Sequence, residues 1–474
     1  MNNAKNQKEN KKRTIRVGAL ARVEGEGALH LLMTGRRVEE VHLEIFEPPR
    51  FYEAFLQGRD FMEVPDITAR ICGICPIAYQ SASCYALEKA MGVFDQLDAP
   101  IQKLRDLIYC GEWIESHVLH MFMLHLADFL GYESAISMAR DHGGIVRRAL
   151  RIKKAGNAII ELLGGRSVHP VGMCVGGFYA CPDPKDAAAL LPEIKACLAD
   201  MADLTLFLAH EVSYPDFRQD YEFVALCPDD EYPMNLGRIK SNRGLDVDQQ
   251  EFGDAVEERQ VAHSTALFSV IKGRSAYLVG PLARLNLNHE KLHPVAAGLL
   301  PKVCAAVGKN LPWDNIFLSL PARAVETVHA LALAADILQS YVPPARCRMP
   351  LAPRAGYGGH GTEAPRGLCW HDYRTENDGT ISFARIMPPT AQNQMCIEKD
   401  LYEIAKQVVD LDDEEAAMRC EHLIRSYDPC ISCSVHFLKF ERTWREDPNE
   451  RRRRPPASSM IRKETFKKRI TNNE

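Results

Sequence analysis

Two Cys-x-x-Cys pairs near opposite ends of the chain, Cys72/Cys75 and Cys430/Cys433, constrain the fold most strongly. Each pair places two thiolates within reach of one metal ion, and together the pairs can supply four sulfur ligands. A site built from both pairs brings together residues 355 positions apart, Cys75 and Cys430. On the four cysteines alone, a structural zinc site is the favoured interpretation. Zinc modules usually close over short loops, however, and this spacing is long.

The remaining eleven cysteines stand singly along the chain. An odd total of 15 cysteines, in a long chain without a signal peptide, argues against a disulfide framework. We therefore expect these eleven side chains to be buried thiols of the core. They are Cys84, Cys110, Cys174, Cys181, Cys197, Cys227, Cys304, Cys347, Cys369, Cys396 and Cys420.

Composition limits the class of protein. The 474 residues are 46% hydrophobic, which is ample for a large core. A net charge of -5 and a pI near 6.4 give no basic excess of the nucleic-acid-binding kind. No apolar run reaches the roughly 18 residues of a membrane helix, and no apolar segment follows the polar N-terminus as in a signal peptide. We expect a soluble, cytoplasmic protein with a flexible leader at 1–13; export with a partner that carries its own signal is the alternative.

Hydrophobic periodicity predicts an α+β fold that is predominantly α. Period-two patterns predict strands at 14–17, 28–33 and 38–45. Apolar residues at helical spacing predict helices at 101–130, 184–210, 320–341, 395–411 and 414–427. Between 343 and 390 the chain is rich in glycine and proline, and we expect loops. These patterns predict one domain, residues 14–436, with a helical core and a small β part at its N-terminal end.

The last 38 residues, 437–474, differ in composition from the rest. They hold 12 Lys and Arg against 6 Asp and Glu, including the run Arg451 to Arg454 followed by two prolines. Such a run of like charges is usually a solvated tail, and a docking role is the alternative. We expect a basic C-terminal extension.

The residues around the cysteine pairs are more than a structural zinc site needs. One pair stands in Arg70-Ile-Cys-Gly-Ile-Cys75, and the other in Asp428-Pro-Cys-Ile-Ser-Cys-Ser-Val-His436. Soft thiolates also suit iron and nickel. The two segments together resemble the signature of nickel–iron hydrogenase large subunits, R-x-C-G-x-C with D-P-C-x-x-C-x-x-H. Arg22-Val-Glu-Gly25 and Glu363-Ala-Pro-Arg-Gly367 resemble the family's R-x-E-G and E-x-P-R-G motifs.

The resemblance implies the fold of nickel–iron hydrogenase large subunits and a nickel–iron centre. Cys72, Cys75, Cys430 and Cys433 would bind nickel, and Cys75 and Cys433 would also bridge to iron. The iron would carry carbon monoxide and cyanide, which accessory proteins make and insert. Such a centre splits H₂ heterolytically, with the Cys430 thiolate as first proton acceptor. Glu24 would pass the proton onward; the alternative for Glu24 is an ordinary ion pair with Arg22.

Further roles follow from the same resemblance. Arg366 would lie over the iron and donate to cyanide, with Pro365 packed beside it. Asp428 and Asp128 would hold the Arg366 guanidinium. Thr390 matches a position that donates to the second cyanide.

The family also has a magnesium (or similar hard-cation) site. Glu53 matches its carboxylate ligand and His436 its terminal histidine ligand. The backbone carbonyl of Ile386 is the third candidate. Histidine is an unusual magnesium ligand, so this assignment rests on the resemblance alone.

Two departures point to one branch of the family. Tyr79 stands where many members have histidine, and Glu26 follows Gly25 where many also have histidine. This combination resembles the cytoplasmic branch that couples hydrogen to NAD(P), including the sulfhydrogenases.

The resemblance also implies partners. The chain has no further Cys-x-x-Cys sets for iron–sulfur clusters and no convincing dinucleotide fingerprint. Electrons would therefore leave to an iron–sulfur small subunit and then to flavin and iron–sulfur subunits that react with NAD(P). A maturation chaperone and an endopeptidase would also act on the chain, the latter cutting between His436 and Phe437.

Three alternatives stay open at this point. A structural zinc-binding interaction protein would contain zinc and no nickel. A respiratory complex I-type relative generally lacks the four cysteines. A hydrogen-sensing relative would share the site residues, but sensors generally lack a removable tail.

Overall fold

A three-stranded antiparallel sheet begins the part of the chain that the computed structural model describes, residues 12–435. Its strands, in the order β1-β2-β3, are β1 Lys12–Val17, β2 Gly27–Thr34 and β3 Arg37–Ile45. In β2 the apolar side chains of Leu29, Leu31 and Met33 alternate with partly exposed residues and face the core. The three predicted strands are confirmed. β1 starts inside the segment assigned to a leader, and residues 1–11 and 436–474, including His436 and the basic extension, lie outside the described residues.

Helices dominate the rest of the described chain. Their bounds are α1 Tyr52–Leu56, α2 Val64–Thr68, α3 Pro76–Ala90, α4 Ala99–Val118, α5 Leu126–Leu130, α6 Ala135–Gly164, α7 Pro184–Glu211, α8 Phe252–Ala255, α9 Pro281–Asn288, α10 Pro294–Val307, α11 Ser319–Gln339, α12 Pro389–Gln407 and α13 Asp413–Ser426. A π-helix, Leu119–His125, joins α4 to α5. The fold class, α+β and predominantly α, is thus confirmed.

The predicted helices match this architecture with two differences. The segment predicted as one helix over 101–130 is divided between α4, the π-helix and α5. α12 spans Pro389–Gln407 where 395–411 was predicted, and it begins earlier because a proline at the first helical position has the dihedral angle that a helix needs. This earlier start places Thr390 in the first turn of α12, facing the C-terminal cysteines.

Shorter sheets connect the helices. Their strands are β4 Met173–Cys174, β5 Gly177–Phe178, β6 Val224–Cys227, β7 Arg238–Ser241, β8 Asp246–Val247, β9 Val256–Val261, β10 Ser264–Ile271, β11 Gly356–Ala364, β12 Gly367–Thr375 and β13 Ile381–Met387. They pair antiparallel as β4-β5, β6-β7-β8, β9-β10 and β11-β12-β13.

The sheet β11-β12-β13 corrects the expectation of loops between 343 and 390. Its glycines are the reason that the sequence predicted loops here. A Cβ atom at Gly358 would overlap the carbonyl oxygen of Ala86, and one at Gly356 would overlap that of Ala90. Glycine therefore lets β11 lie directly against the backbone of α3. The β content is not confined to the N-terminal end, and this second sheet supports the helix that follows Cys75.

One described segment, Ile316–Gln339, has the length and apolar composition of a membrane-spanning helix. Of its most apolar stretch, 94% is buried inside the protein. The buried charged side chains of Arg323 and Glu326 also lie in this helix, α11. Because both its apolar and its charged residues are buried, α11 is a central helix of the protein core.

The expectation for the single cysteines needs one correction. Cys181 and Cys347, predicted as separate thiols, form a disulfide with Cα atoms 5.6 Å apart. They stand 166 positions apart in the sequence, and no local pattern indicates that they pair. Of the other nine, Cys227 is partly exposed and the rest are buried free thiols.

Candidate metal centre

The four cysteines of the two pairs meet in the interior. Cys72 and Cys75 stand in the turn before α3, and Cys430 and Cys433 follow α13. The Sγ atoms of Cys72 and Cys430 are 3.6 Å apart, and those of Cys430 and Cys433 are 2.7 Å apart. All four Sγ atoms lie within 4.8 Å of one another, and all four side chains are buried. This cluster of soft ligands has the size of a metal site.

Glu24 lies directly on the cluster. Its backbone carbonyl accepts a hydrogen bond from Ile431 N at 3.0 Å, and Gly25 allows this close approach. With φ at +86°, Gly25 has a conformation that side chains disfavour, and a Cβ there would stand 2.8 Å from Ile431 Cβ. The Glu24 Oε2 atom accepts from Cys430 Sγ at 3.0 Å and from Ser432 N at 3.1 Å. The alternative partner, Arg22, pairs with Asp128 instead.

The thiols share their protons unequally. Burial disfavours the thiolate of Cys72, but hydrogen bonds from the other three cysteines outweigh burial and hold its pKa well below the usual value. Burial and hydrogen bonds within the cluster raise the pKa of Cys430 well above its usual value.

Arg366 and Asp428 form a buried ion pair beside the cluster. Arg366 donates through Nε to the Asp428 carbonyl at 2.8 Å and through Nη2 to its Oδ1 at 3.0 Å. The Arg366 Nη1 atom is buried and has no hydrogen-bond partner among the described residues. Asp428 and, after it, the charges of Cys430, Cys75 and Cys72 stabilise the guanidinium, so the Arg366 pKa is raised despite its burial. The adjacent Pro365 is buried as well.

The structure corrects the expectation for Asp128. Its carboxylate does not hold Arg366 in the described structure. It accepts instead from Arg425, through Nε at 2.7 Å and Nη2 at 2.9 Å, and from Arg22. The bidentate Arg425 fork uses both oxygens, which leaves Asp128 committed to a different pair of cations. Asp128 thus joins α5 to α13 and to the segment before Glu24.

Thr390 and Tyr79 both lie near the four cysteines. The Thr390 Oγ1 atom accepts from Cys430 N at 3.0 Å, and its own O–H remains available to donate. Tyr79 is buried in α3, and its hydroxyl has no hydrogen-bond partner among the described residues. Its ring lies 5.6 Å from that of His371.

The comparison with protein families decides the class of this site. The model for nickel-dependent hydrogenases matches residues 50–143 and 272–436.

The chain belongs to the nickel-dependent hydrogenase family.

Individual relatives agree. The chain is 34% identical to sulfhydrogenase 2 subunit alpha of Pyrococcus furiosus, over 90% of this chain and 99% of that protein. It is 25% identical to the NAD-reducing hydrogenase HoxS subunit beta of Cupriavidus necator, over 90% and 95%. A crystal structure of an NAD⁺-reducing nickel–iron hydrogenase in the H₂-reduced state superposes with a TM-score of 0.80, at 25% identity, over 90% of this chain and 99% of that one.

These findings confirm the resemblance and its main consequence. The chain is the catalytic subunit of a nickel–iron hydrogenase. The four-cysteine cluster is the part of the described chain that suits its nickel–iron centre. The structural zinc and complex I-type alternatives are therefore set aside.

A second candidate cation site surrounds Glu53. This α1 residue accepts from Ile386 N at 2.9 Å through Oε1, which places Glu53 beside the backbone of Ile386. Burial raises the pKa of Glu53 to about 7. Burial and the charge of Glu53 raise the pKa of the neighbouring Glu258 to about 8. The third expected residue, His436, lies outside the described residues.

Sequence patterns missed several residues that support these sites. Glu112 of α4 accepts from Ile77 N at 2.6 Å and Ala78 N at 3.1 Å, and so holds the first turn of α3 behind Cys75. Arg50 donates to the carbonyl of Ser432. Arg50 could have been found, because it stands three residues before Glu53. Glu112 and Glu258 had no such signal, since each looks like an ordinary charged residue of a helix or strand.

Proposed function

We propose that this subunit cleaves H₂ reversibly at a nickel–iron centre held by the four cysteines. Cys72 and Cys430 would be terminal ligands of nickel, and Cys75 and Cys433 would bridge to iron. Four buried sulfur atoms within 4.8 Å of one another fit such a centre. When bound, the centre supplies the heterolytic cleavage of H₂ and takes up its two electrons.

Residues of this chain would take up the proton that H₂ cleavage releases. The observation that carries this proposal is the 3.0 Å contact between Cys430 Sγ and Glu24 Oε2. At that distance a proton held on the Cys430 sulfur can pass directly to the carboxylate. Glu24 then carries it away from the cluster.

Arg366 and Thr390 would orient the iron ligands. The unpartnered Nη1 of Arg366 is a buried donor that needs an acceptor, and a cyanide nitrogen would supply one. The Thr390 hydroxyl, which already accepts from Cys430 N, would donate to the second cyanide. Asp428 fixes the guanidinium plane, and Pro365 packs beside it. Carbon monoxide would complete the set on iron.

Glu53, the Ile386 carbonyl and His436 would hold magnesium. The raised pKa values of Glu53 and Glu258 support a cation there, because a divalent ion would favour the charged forms of both carboxylates. Purified enzyme should therefore contain magnesium that Glu53→Gln loses.

Electrons would pass through iron–sulfur clusters of the small subunit toward flavin and iron–sulfur subunits that react with NAD(P). Similarity to the NAD-reducing hydrogenase subunit supports this route. A cytoplasmic location is in keeping with a nicotinamide nucleotide as acceptor. The test is H₂-dependent reduction of NAD⁺ and NADP⁺ by the purified complex. Reduction of either supports the proposal, whereas reduction of artificial dyes alone would overturn the route while leaving H₂ cleavage in place.

The basic extension would be removed during maturation. A chaperone would assist insertion of the metals, and an endopeptidase would then cut between His436 and Phe437. The intact mass of the active, nickel-loaded subunit tests this step. A mass that ends at His436 is expected, and a mass that includes 437–474 would contradict it.

A further inference from the structure

A second group of metal-ligating side chains lies outside the nickel–iron site. His42, His263 and Glu398 each offer a ligand atom, and these atoms lie within 4.8 Å of one another. The three residues come from separate elements: His42 from β3, His263 from the turn between β9 and β10, and Glu398 from α12. None of them is among the residues assigned to the hydrogenase reaction.

Protein contacts account for only part of this cluster. His263 Nε2 lies 2.7 Å from Glu398 Oε1, which also accepts from Leu43 N at 3.1 Å. A simple ion pair would explain those two side chains. It does not explain His42, whose ring stacks on that of His263 with centroids 4.1 Å apart.

The Nδ1 atom of His42 is buried and has no hydrogen-bond partner among the described residues. Its other ring nitrogen, Nε2, faces Glu40 at 3.7 Å. A buried ring nitrogen without a partner is costly, and two stacked imidazoles repel each other if both are protonated. Neutral imidazoles that share one cation remove both costs, because a metal ion binds each through a lone pair.

We propose that His42, His263 and Glu398 bind a divalent transition-metal ion, and that zinc fits best. Two imidazole nitrogens and one carboxylate form a common three-ligand set for zinc, with a fourth position left for water. Magnesium and calcium prefer sets made of oxygen alone. The three side chains are 20–30% exposed, so an ion can reach them from solvent.

Such an ion would fasten three parts of the fold together. β3, the β9-β10 turn and α12 have no covalent link at this point. Glu398 lies eight residues after Thr390 on α12, about 12 Å along the helix axis. The ion would therefore stabilise the helix that carries Thr390 while lying away from the four cysteines.

The test uses the nickel-loaded holoenzyme, so that the four cysteines are already occupied. After removal of loosely bound ions, zinc uptake is measured by equilibrium dialysis and elemental analysis. The wild type should bind one more zinc per chain than His263→Ala or His42→Ala, and zinc should raise its Tm but not theirs. His30→Ala is the matched control, because His30 pairs with His42 across β2 and β3 and lies outside the cluster.

Cobalt gives an independent check on the ligands. Co²⁺ bound here should show absorption of nitrogen and oxygen ligation, without sulfur-to-cobalt charge transfer. Glu398→Gln keeps the shape of the side chain and should also weaken zinc binding. It replaces the histidine variants in the test if they fold poorly. Equal zinc uptake by wild type and all variants, or a cobalt spectrum with sulfur charge transfer, would overturn the proposal.

Discussion

At the scale of single residues, the Cys430–Glu24 contact links the metal cluster to the rest of the protein. Glu24 accepts from both the Cys430 thiol and the Ser432 amide, so its carboxylate is held in place before any proton arrives. Pre-positioning of this kind lowers the barrier to proton transfer, because little has to move.

We predict that Glu24→Gln slows H₂ oxidation by about 10²- to 10⁴-fold, because an amide cannot relay the proton. Nickel content should stay unchanged, since Glu24 is not a metal ligand in this account. The measurement is dye-coupled H₂ oxidation with nickel analysis of the same sample. Glu26→Gln is the control and should retain activity. Glu26 lies two residues away, and its backbone N–H donates to Glu47 Oε1. Equal activity of Glu24→Gln and Glu26→Gln would contradict the relay.

A second residue-scale prediction separates the two aspartates. Asp128→Asn should lower the free energy of unfolding by about 3 kcal/mol, because buried Arg425 would lose its bidentate partner. Asp428→Asn should lower kcat as well as stability, because it frees the equally buried guanidinium of Arg366 beside the cysteines. Thermal unfolding and H₂ oxidation of both variants check this division. Loss of kcat without loss of stability in Asp128→Asn would restore the original assignment of Asp128 to Arg366.

At the scale of elements, α4 and α6 cross at two glycines. A Cβ atom at Gly156 would stand 2.7 Å from Gly111 O and 2.8 Å from Glu115 N. We predict that Gly156→Ala costs about 1–3 kcal/mol of stability, because the helices must move apart. Gly144→Ala in the same helix meets no atom within 4 Å and should be neutral or stabilising by up to about 1 kcal/mol. Thermal unfolding compares the two, and an equal effect would contradict the close crossing.

The elements also show how far the sequence predicts this fold. α7 was predicted almost to the residue from its apolar periodicity, and in the structure Asp183 caps the helix that Pro184 begins. The sheet β11-β12-β13 was missed, since its glycines serve packing against α3 and look like loop residues. Local patterns also cannot predict which charged side chains, distant in sequence, form ion pairs. Family motifs predicted Glu24, Cys430, Arg366 and Asp428, which do lie together. They did not predict that Asp128 pairs with Arg22 and Arg425.

At the scale of the whole molecule, buried carboxyl groups make stability depend on pH. Asp400 accepts from the hydroxyls of Tyr221 and Tyr427, and burial raises its pKa to about 7. In the unfolded chain the pKa is about 4. The folded protein therefore binds an extra proton between these values, and the stabilisation present below pH 4 is lost as the pH rises toward 7.

We predict that Asp400→Asn removes a slope of about 1.4 kcal/mol per pH unit from the stability profile between pH 4 and 7. The asparagine keeps an oxygen that accepts from both tyrosines but has no proton to lose. Unfolding is followed in denaturant at several pH values. Asp413→Asn, at an exposed carboxylate, should keep the wild-type profile. Parallel profiles for wild type and Asp400→Asn would contradict the assignment.

The central claim is that the four cysteines hold a nickel–iron centre whose iron carries carbon monoxide and cyanide. Infrared spectroscopy of the purified, nickel-loaded complex tests it most directly, because metal-bound carbon monoxide and cyanide absorb where protein does not. We expect carbon monoxide and cyanide bands that shift when H₂ is added and that disappear in Cys75→Ser. A nickel-loaded, active preparation without these bands would contradict the account.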